Sequence, residues 1–271
     1  PRKASSALAR VKSLGTEDKY LRVSLYGRSG TGKTTFWGTF PGKILAMICS
    51  GGTKPGELRS IDTPENRDRI FQVVLRSTAD FDELVDYQRE NAEWDTLVLD
   101  QATGLQDLHL KELLSLEDTP VQMSWGLATQ QQYGQLANQM KERFRKLLSL
   151  DCNVVVVSHE REFGNMEGAD VGGLIVPYVS TALTPSVAGW LAGATDYICQ
   201  TFIRQKVVQK KRKFQGKIKT SEVVTKEIEY CLRTGPDPVY VTKFRMPKAN
   251  QPPQVIVDPS YEKLIKVIRG K

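Results

Sequence analysis

Residues 27–35 read Gly-Arg-Ser-Gly-Thr-Gly-Lys-Thr-Thr, a complete G-x-x-x-x-G-K-[ST] pattern. It constrains the fold before anything else is known, because it needs a strand before it and a helix after it. The glycines let successive backbone N–H groups curl inward, and the following helix turns its positive end toward the same point. Both flanks comply. Residues 21–26 (Leu-Arg-Val-Ser-Leu-Tyr) alternate as a strand does, and 34–40 can open the helix. The pattern then carries a chemistry. Gly27, Arg28, Ser29, Gly30, Thr31, Gly32, Lys33, Thr34 and Thr35 form a phosphate cradle. In it Lys33 places its ammonium on the β- and γ-phosphates, and the Thr34 hydroxyl ligates Mg²⁺. The expected ligand is a nucleoside triphosphate, ATP with Mg²⁺; a glycine-rich turn without ligand is the competing reading.

The 271 residues suit one large α/β domain, or one domain with appendages. No apolar run approaches the roughly 20 residues that span a membrane. Cys49, Cys152, Cys199 and Cys231 lie far apart, with neither metal-ligand nor disulfide spacing, and read as buried thiols in a reducing cytoplasm. A net charge of +7 suits a polyanionic partner, although only the position of that charge discriminates.

Strands and helices alternate through the first 160 residues. After the loop come an apolar strand at 43–49, a short strand at 71–75, an amphipathic helix at 78–91 and a buried strand at 96–100. Helices at 104–116 and 126–150 and a valine-rich strand at 153–158 follow. This alternation predicts an α/β fold with a mostly parallel sheet covered by helices on both faces. Beyond 160 the pattern changes. A long loop at 162–173, a short helix at 183–193 and strands at 196–205, 220–233 and 239–244 predict antiparallel strands at the C-terminal edge of the sheet. The expected organisation is a flexible basic arm at 1–19, an ATPase core at 20–248, and a tail at 249–271 holding a short helix.

Asp100 ends an apolar strand about 65 residues after Lys33. A carboxylate at the C-terminal edge of the sheet can reach the Mg²⁺ sphere beside the phosphate loop, as a Walker B residue does. His159 follows the next strand and arrives at the same edge, where an imidazole N–H can sense the γ-phosphate; a surface histidine is the alternative. Lys243 and Arg245, at i and i+2 of a strand end, project together as a phosphate clamp for a neighbouring subunit, or as a solvated basic edge. Lys206, Lys210, Lys211, Arg212, Lys213, Lys217 and Lys219 place seven cations in fourteen residues. A nucleic-acid patch and a solvated hairpin tip are both open readings. Met123, Trp125 and Tyr133 offer either base-stacking surfaces or core.

The order of these pieces resembles a RecA-type ATPase. More narrowly, it resembles the small phage-type nucleotide-binding proteins of single-strand annealing recombination. The resembling residues are the loop at 27–35, Leu-Val-Leu-Asp ending at Asp100, Trp125-Gly126, residues 154–162, and Tyr-Val-Thr-Lys-Phe-Arg at 240–245. The resemblance implies a RecA-like P-loop core and a DNA-dependent ATPase. It also implies single-stranded DNA and further copies of the chain as partners, with ATP at subunit interfaces. A single-stranded-DNA-binding protein and a phage-carrying bacterial cytoplasm fit the same picture. By resemblance, His159 is the γ-phosphate sensor, Lys243 and Arg245 are fingers supplied in trans, and the loops at 117–125 and 162–182 face DNA. The pattern is broken at Ser50-Gly51-Gly52, where such proteins often carry an acidic residue that polarises water. Glu57, Glu160 and Gln101 are the substitutes, and hydrolysis is expected to be weak. The rival readings are a nucleotide-gated assembly factor without turnover and a small-molecule kinase; no lid-like arginine cluster after Asp100 supports the latter.

Overall fold

A computed structural model describes residues 20–49, 58–115, 128–164, 177–214, 217–246 and 251–270, with backbone alone for 209–214 and 217–224. The centre is a sheet of nine strands. β1 (Arg22–Gly27), β2 (Ile44–Ile48), β3 (Ile70–Val74), β4 (Thr96–Asp100) and β5 (Asn153–Ser158) run parallel in the order β1-β5-β4-β2-β3, and residues 197–201 add a sixth parallel segment on the other side of β1. The β-branched and aliphatic runs of β1, β2, β4 and β5 are buried on both faces, as central parallel strands require, whereas β3 lies at the sheet edge with Phe71 and Val74 exposed. Alternate residues feed two cores. Leu97, Leu99, Val154 and Val156 pack under α3 (Thr78–Asn91), α4 (Ala102–Leu113), α5 (Gln130–Leu148) and α6 (Pro185–Ala194). Val98, Val155, Val157 and Leu25 face α1 (Lys33–Trp37) and α7 (Tyr261–Ile268) on the other side. A 3₁₀ turn (Arg59–Ile61) and a single helical turn, α2 (Pro64–Arg67), precede β3.

Several boundaries follow from local chemistry. Ser77 and Asp80 cap α3 reciprocally, and Thr129 with Gln132 does the same for α5, so α5 starts at Gln130 rather than 126. α1 stops at Trp37, short of 40, because Thr39 directs both its N–H and its hydroxyl to Phe36 O and tightens the last turn. The expected strand at 239–244 shrinks to β10 (Lys243–Phe244). Asp237 Oδ1 accepts the Val239 and Tyr240 N–H groups and bends that segment into a turn.

The second half departs further from expectation. The loop read at 162–173 starts inside β6 (Glu160–Phe163), which forms a two-stranded antiparallel ribbon with β7 (Tyr178–Thr181). Strands β8 (Tyr197–Phe214) and β9 (Lys217–Arg233) form one long hairpin that absorbs the whole basic stretch. β8 pairs with β1 only over Tyr197–Thr201. Residues 202–214 then continue as a ribbon with β9, about 40 Å of it at the usual rise per residue. Of the tail read at 249–271, the described residues 251–270 are integrated rather than appended. β11 (Val255–Val257) pairs antiparallel with β9, Leu264 of α7 is fully buried, and Tyr261 lies 4.9 Å from the Phe40 ring.

Arg22, read from sequence as an ordinary strand residue, is buried. Its guanidinium donates to Leu148 O at 2.6 Å, Leu150 O at 2.6 Å and Cys152 O at 2.7 Å, satisfying the end of α5 and the turn into β5. All four cysteines are free and buried, and burial pushes the Cys49 thiol up to about 12 and Cys152 to about 11. Among the described residues no helix is long and apolar enough to cross a membrane. The basic arm at 1–19 lies outside the described residues.

Candidate nucleotide site

Parallel strands deliver their C-terminal ends to one edge, and there the sheet order matters. β5 lies between β1, which runs into the phosphate loop, and β4, which ends in Asp100. Ser158 and His159 therefore emerge between loop and carboxylate. A cleft of about 600 Å³ opens at this edge, lined among others by Gly32, Lys33, Thr34, Asp100, Gln101 and His159. Ser29, Gly30 and Thr35 line it too. The structure thus brings together the predicted loop, Asp100 and His159.

The loop is pinned from the β8 side. Thr31 Oγ1 lies 2.7 Å from Thr201 Oγ1 and donates to Arg28 O at 2.8 Å. A Cβ on Gly27 would run into the Thr201 backbone, so only glycine fits where β1 enters the turn. Gly32 has φ +88, a left-handed conformation that starts α1. Lys33 Nζ donates to Gly27 O at 2.8 Å and Arg28 O at 2.7 Å. Burial lowers the Lys33 pKa, against the opposing pull of Asp100 and Glu160. A desolvated ammonium of this kind gains most from an anion brought beside it. From the buried side, Trp37 Nε1 donates to Asp100 Oδ2 at 3.1 Å and fixes the carboxylate.

Two buried side-chain oxygens at this edge, Gln101 Oε1 and Ser158 Oγ, have no hydrogen-bond partner among the described residues. Orphaned acceptors next to a carboxylate and a threonine hydroxyl suit a hydrated cation. Thr34 and Asp100 are the residues fit to hold Mg²⁺.

Of the substitutes for the acidic residue expected near Ser50, Glu160 is committed elsewhere. Its Oε1 accepts from Arg28 Nε at 2.8 Å and its Oε2 from Gln200 Nε2 at 3.0 Å. Gln200 Oε1 in turn accepts from Arg233, which pairs with Asp237. Ser50 and Glu57 lie outside the described residues. Gln101 remains.

Lys243 and Arg245 do not join this cleft in their own chain. β10 pairs with Tyr197 and Ile198, beside Val23 and Ser24 at the start of β1, whereas the phosphate loop follows the end of β1. Lys243 Nζ donates to Ala192 O, Gly193 O and Thr195 O, and Arg245 bonds Asp196 at 2.7 Å and Gly193 O at 2.9 Å. Both cations complete the C-terminus of α6, the end of a helix that favours positive charge.

The basic hairpin is paired at its base, Arg204 with Glu229 and Lys206 with Glu227. Lys210, Lys211, Arg212 and Lys213 lie farther along, their backbones in register with 218–221, and the backbone of Lys217 pairs with Phe214. Met123 and Trp125 fall outside the described residues, and Tyr133 packs against the core instead of offering a stacking face. Sequence reasoning missed a different aromatic pair. Phe163 and Tyr178 stack at 5.1 Å on the β6–β7 ribbon, with Arg161 over Phe163.

A phosphate loop, a strand-end carboxylate and a polar residue from the strand between them define a nucleotide-binding P-loop fold. The family of AAA domains matches residues 19–246, and the chain belongs to it: this is an AAA-type P-loop ATPase domain. No curated protein matches the chain.

Proposed function

We propose that the chain binds ATP with Mg²⁺, hydrolyses it slowly, and couples it to single-stranded DNA within an assembly of several copies. The observation that carries this reading is the single cleft that collects Lys33, Thr34, Asp100, Gln101 and His159. Mg²⁺, when bound, neutralises charge on the transferred phosphate. Lys33 supplies a second positive charge, and His159 stands where an imidazole N–H meets the phosphate end. Gln101 Oε1 accepts a hydrogen bond from water and orients it, as a glutamine does in some GTPases. A glutamine orients without removing a proton, so turnover is slow. The engagement of Glu160 with Arg28 also favours a second reading, a nucleotide-gated assembly factor with negligible turnover.

Support for nucleic acid comes from the net charge of +7, the long basic ribbon and the Arg161-Phe163-Tyr178 cluster, a cation with stacking surfaces. The role in single-strand annealing recombination rests on motif order alone. Any contribution of Lys243 and Arg245 to hydrolysis has to reach a neighbouring chain, since they lie at the far end of their own sheet. Neutralising Lys210, Lys211, Arg212 and Lys213 together is expected to flatten the slope of log affinity against log salt, by roughly 0.7 per lost phosphate contact on single strands. Fluorescence anisotropy on poly-T across a salt series measures it. An unchanged slope returns the ribbon to a solvated hairpin.

A further inference from the structure

The base of the β8–β9 hairpin carries an apolar face that the fold leaves in water. Ile203 stands opposite Tyr230, and Ile228 follows two residues along β9 on the same face. They are 47%, 42% and 54% exposed, high values for large apolar side chains so close to the sheet. The patch is continuous with the phosphate site. Tyr230 lines the same cleft as Lys33 and Asp100, and a Cβ on Gly32 would stand 3.2 Å from Tyr230 Cδ1. The ring therefore lies on the loop glycine itself. Its strand is anchored there, because Asp258 N–H donates to Tyr230 O at 2.8 Å. Phosphates on the loop leave the rest of a nucleotide to continue along the cleft, and an exposed aromatic ring at its wall is what a heterocycle seeks.

We propose that Tyr230, backed by Ile203 and Ile228, is the stacking platform for the nucleotide base. The inference rests on the reading of the cleft as an ATP site and deepens it. A platform of one phenol and two aliphatic side chains reads the π-face of a base rather than its edge. ATP and GTP are then bound alike, and CTP and UTP more weakly because their rings cover less of the tyrosine.

The test compares wild type, Tyr230→Ala and Tyr230→Phe by calorimetry with ATP and with inorganic tripolyphosphate, which has no base. Base–aromatic stacking of ordinary strength predicts that Tyr230→Ala weakens ATP about 5- to 150-fold. Tripolyphosphate affinity stays unchanged, and Tyr230→Phe binds ATP as wild type does. In the same variants, etheno-ATP fluorescence is quenched by wild type and Tyr230→Phe but not by Tyr230→Ala. ATP affinity unaltered in Tyr230→Ala overturns the proposal, all the more if the variant instead loses self-association, because the patch then serves a second copy. Equal losses for ATP and tripolyphosphate also overturn it, since the ring would then only buttress the loop. A wild type that binds neither ligand refutes the ATP site itself and the platform with it.

Discussion

Lys33→Ala loses tight ATP binding and keeps its fold. Lys33 is a partly buried cation whose contacts in the chain are two carbonyls of its own loop, Gly27 O and Arg28 O, so its removal leaves both cores untouched. The effect falls on the ligand. Truncating one member of a hydrogen-bonded charge pair in a desolvated site costs about 2–5 kcal/mol, or roughly 30- to several-thousand-fold in affinity. Titration with a fluorescent ATP analogue measures the loss, and an unchanged circular dichroism spectrum and melting temperature establish that the fold is kept. Wild-type affinity in this variant would move the nucleotide elsewhere.

Arg22→Ala has the opposite profile, a stability loss with no direct effect on the ligand. Three backbone carbonyls, of Leu148, Leu150 and Cys152, lose a charged donor at once. Hydrogen bonds to charged groups are worth about 1.5–3 kcal/mol each, and buried acceptors left unmatched add a penalty. Because three bonds from one group are not additive, the expected cost is on the order of 3–5 kcal/mol. For a domain of this size that lowers the melting temperature by about 5–9 °C. Arg22→Lys restores part of it, because one ammonium reaches fewer of the three carbonyls. Urea denaturation followed by tryptophan fluorescence gives the value, and a loss below about 1 kcal/mol would mean that water replaces the guanidinium.

These two residues mark the division between what the amino-acid sequence reveals and what it withholds. Lys33 is legible because a phosphate loop is made by consecutive residues, whose glycines and lysine must stand at fixed spacing. Asp100 and His159 are legible one step further, since each ends an apolar run and parallel strands deliver their ends to one edge. Arg22 sits in a strand of ordinary pattern, and only the return of the chain 126 residues later supplies its short hydrogen bonds. Tyr230 is hidden for the same reason, lying about 200 residues from the glycine it covers. Lys243 and Arg245 show the half-way case. Their period-two spacing projects them together, as expected, but what they face is set by α6, whose C-terminal carbonyls they meet. β6 and β7 escaped notice because glycine and acidic residues dominate the stretch after Phe163, while the strand pairing depends on Tyr178–Thr181 beyond it. The chain after 249 reads as a tail because β11 is three residues long; its pairing to β9 gives it a place in the sheet.

The central claim is that this AAA-type domain turns over ATP at the cleft and that single-stranded DNA governs the rate. Steady-state phosphate release, measured with Mg²⁺ in the absence and presence of poly-T, tests it most directly. The account predicts slow turnover that single strands stimulate, with both rates abolished in Lys33→Ala. Turnover that poly-T leaves unchanged, or that survives in Lys33→Ala, would contradict it.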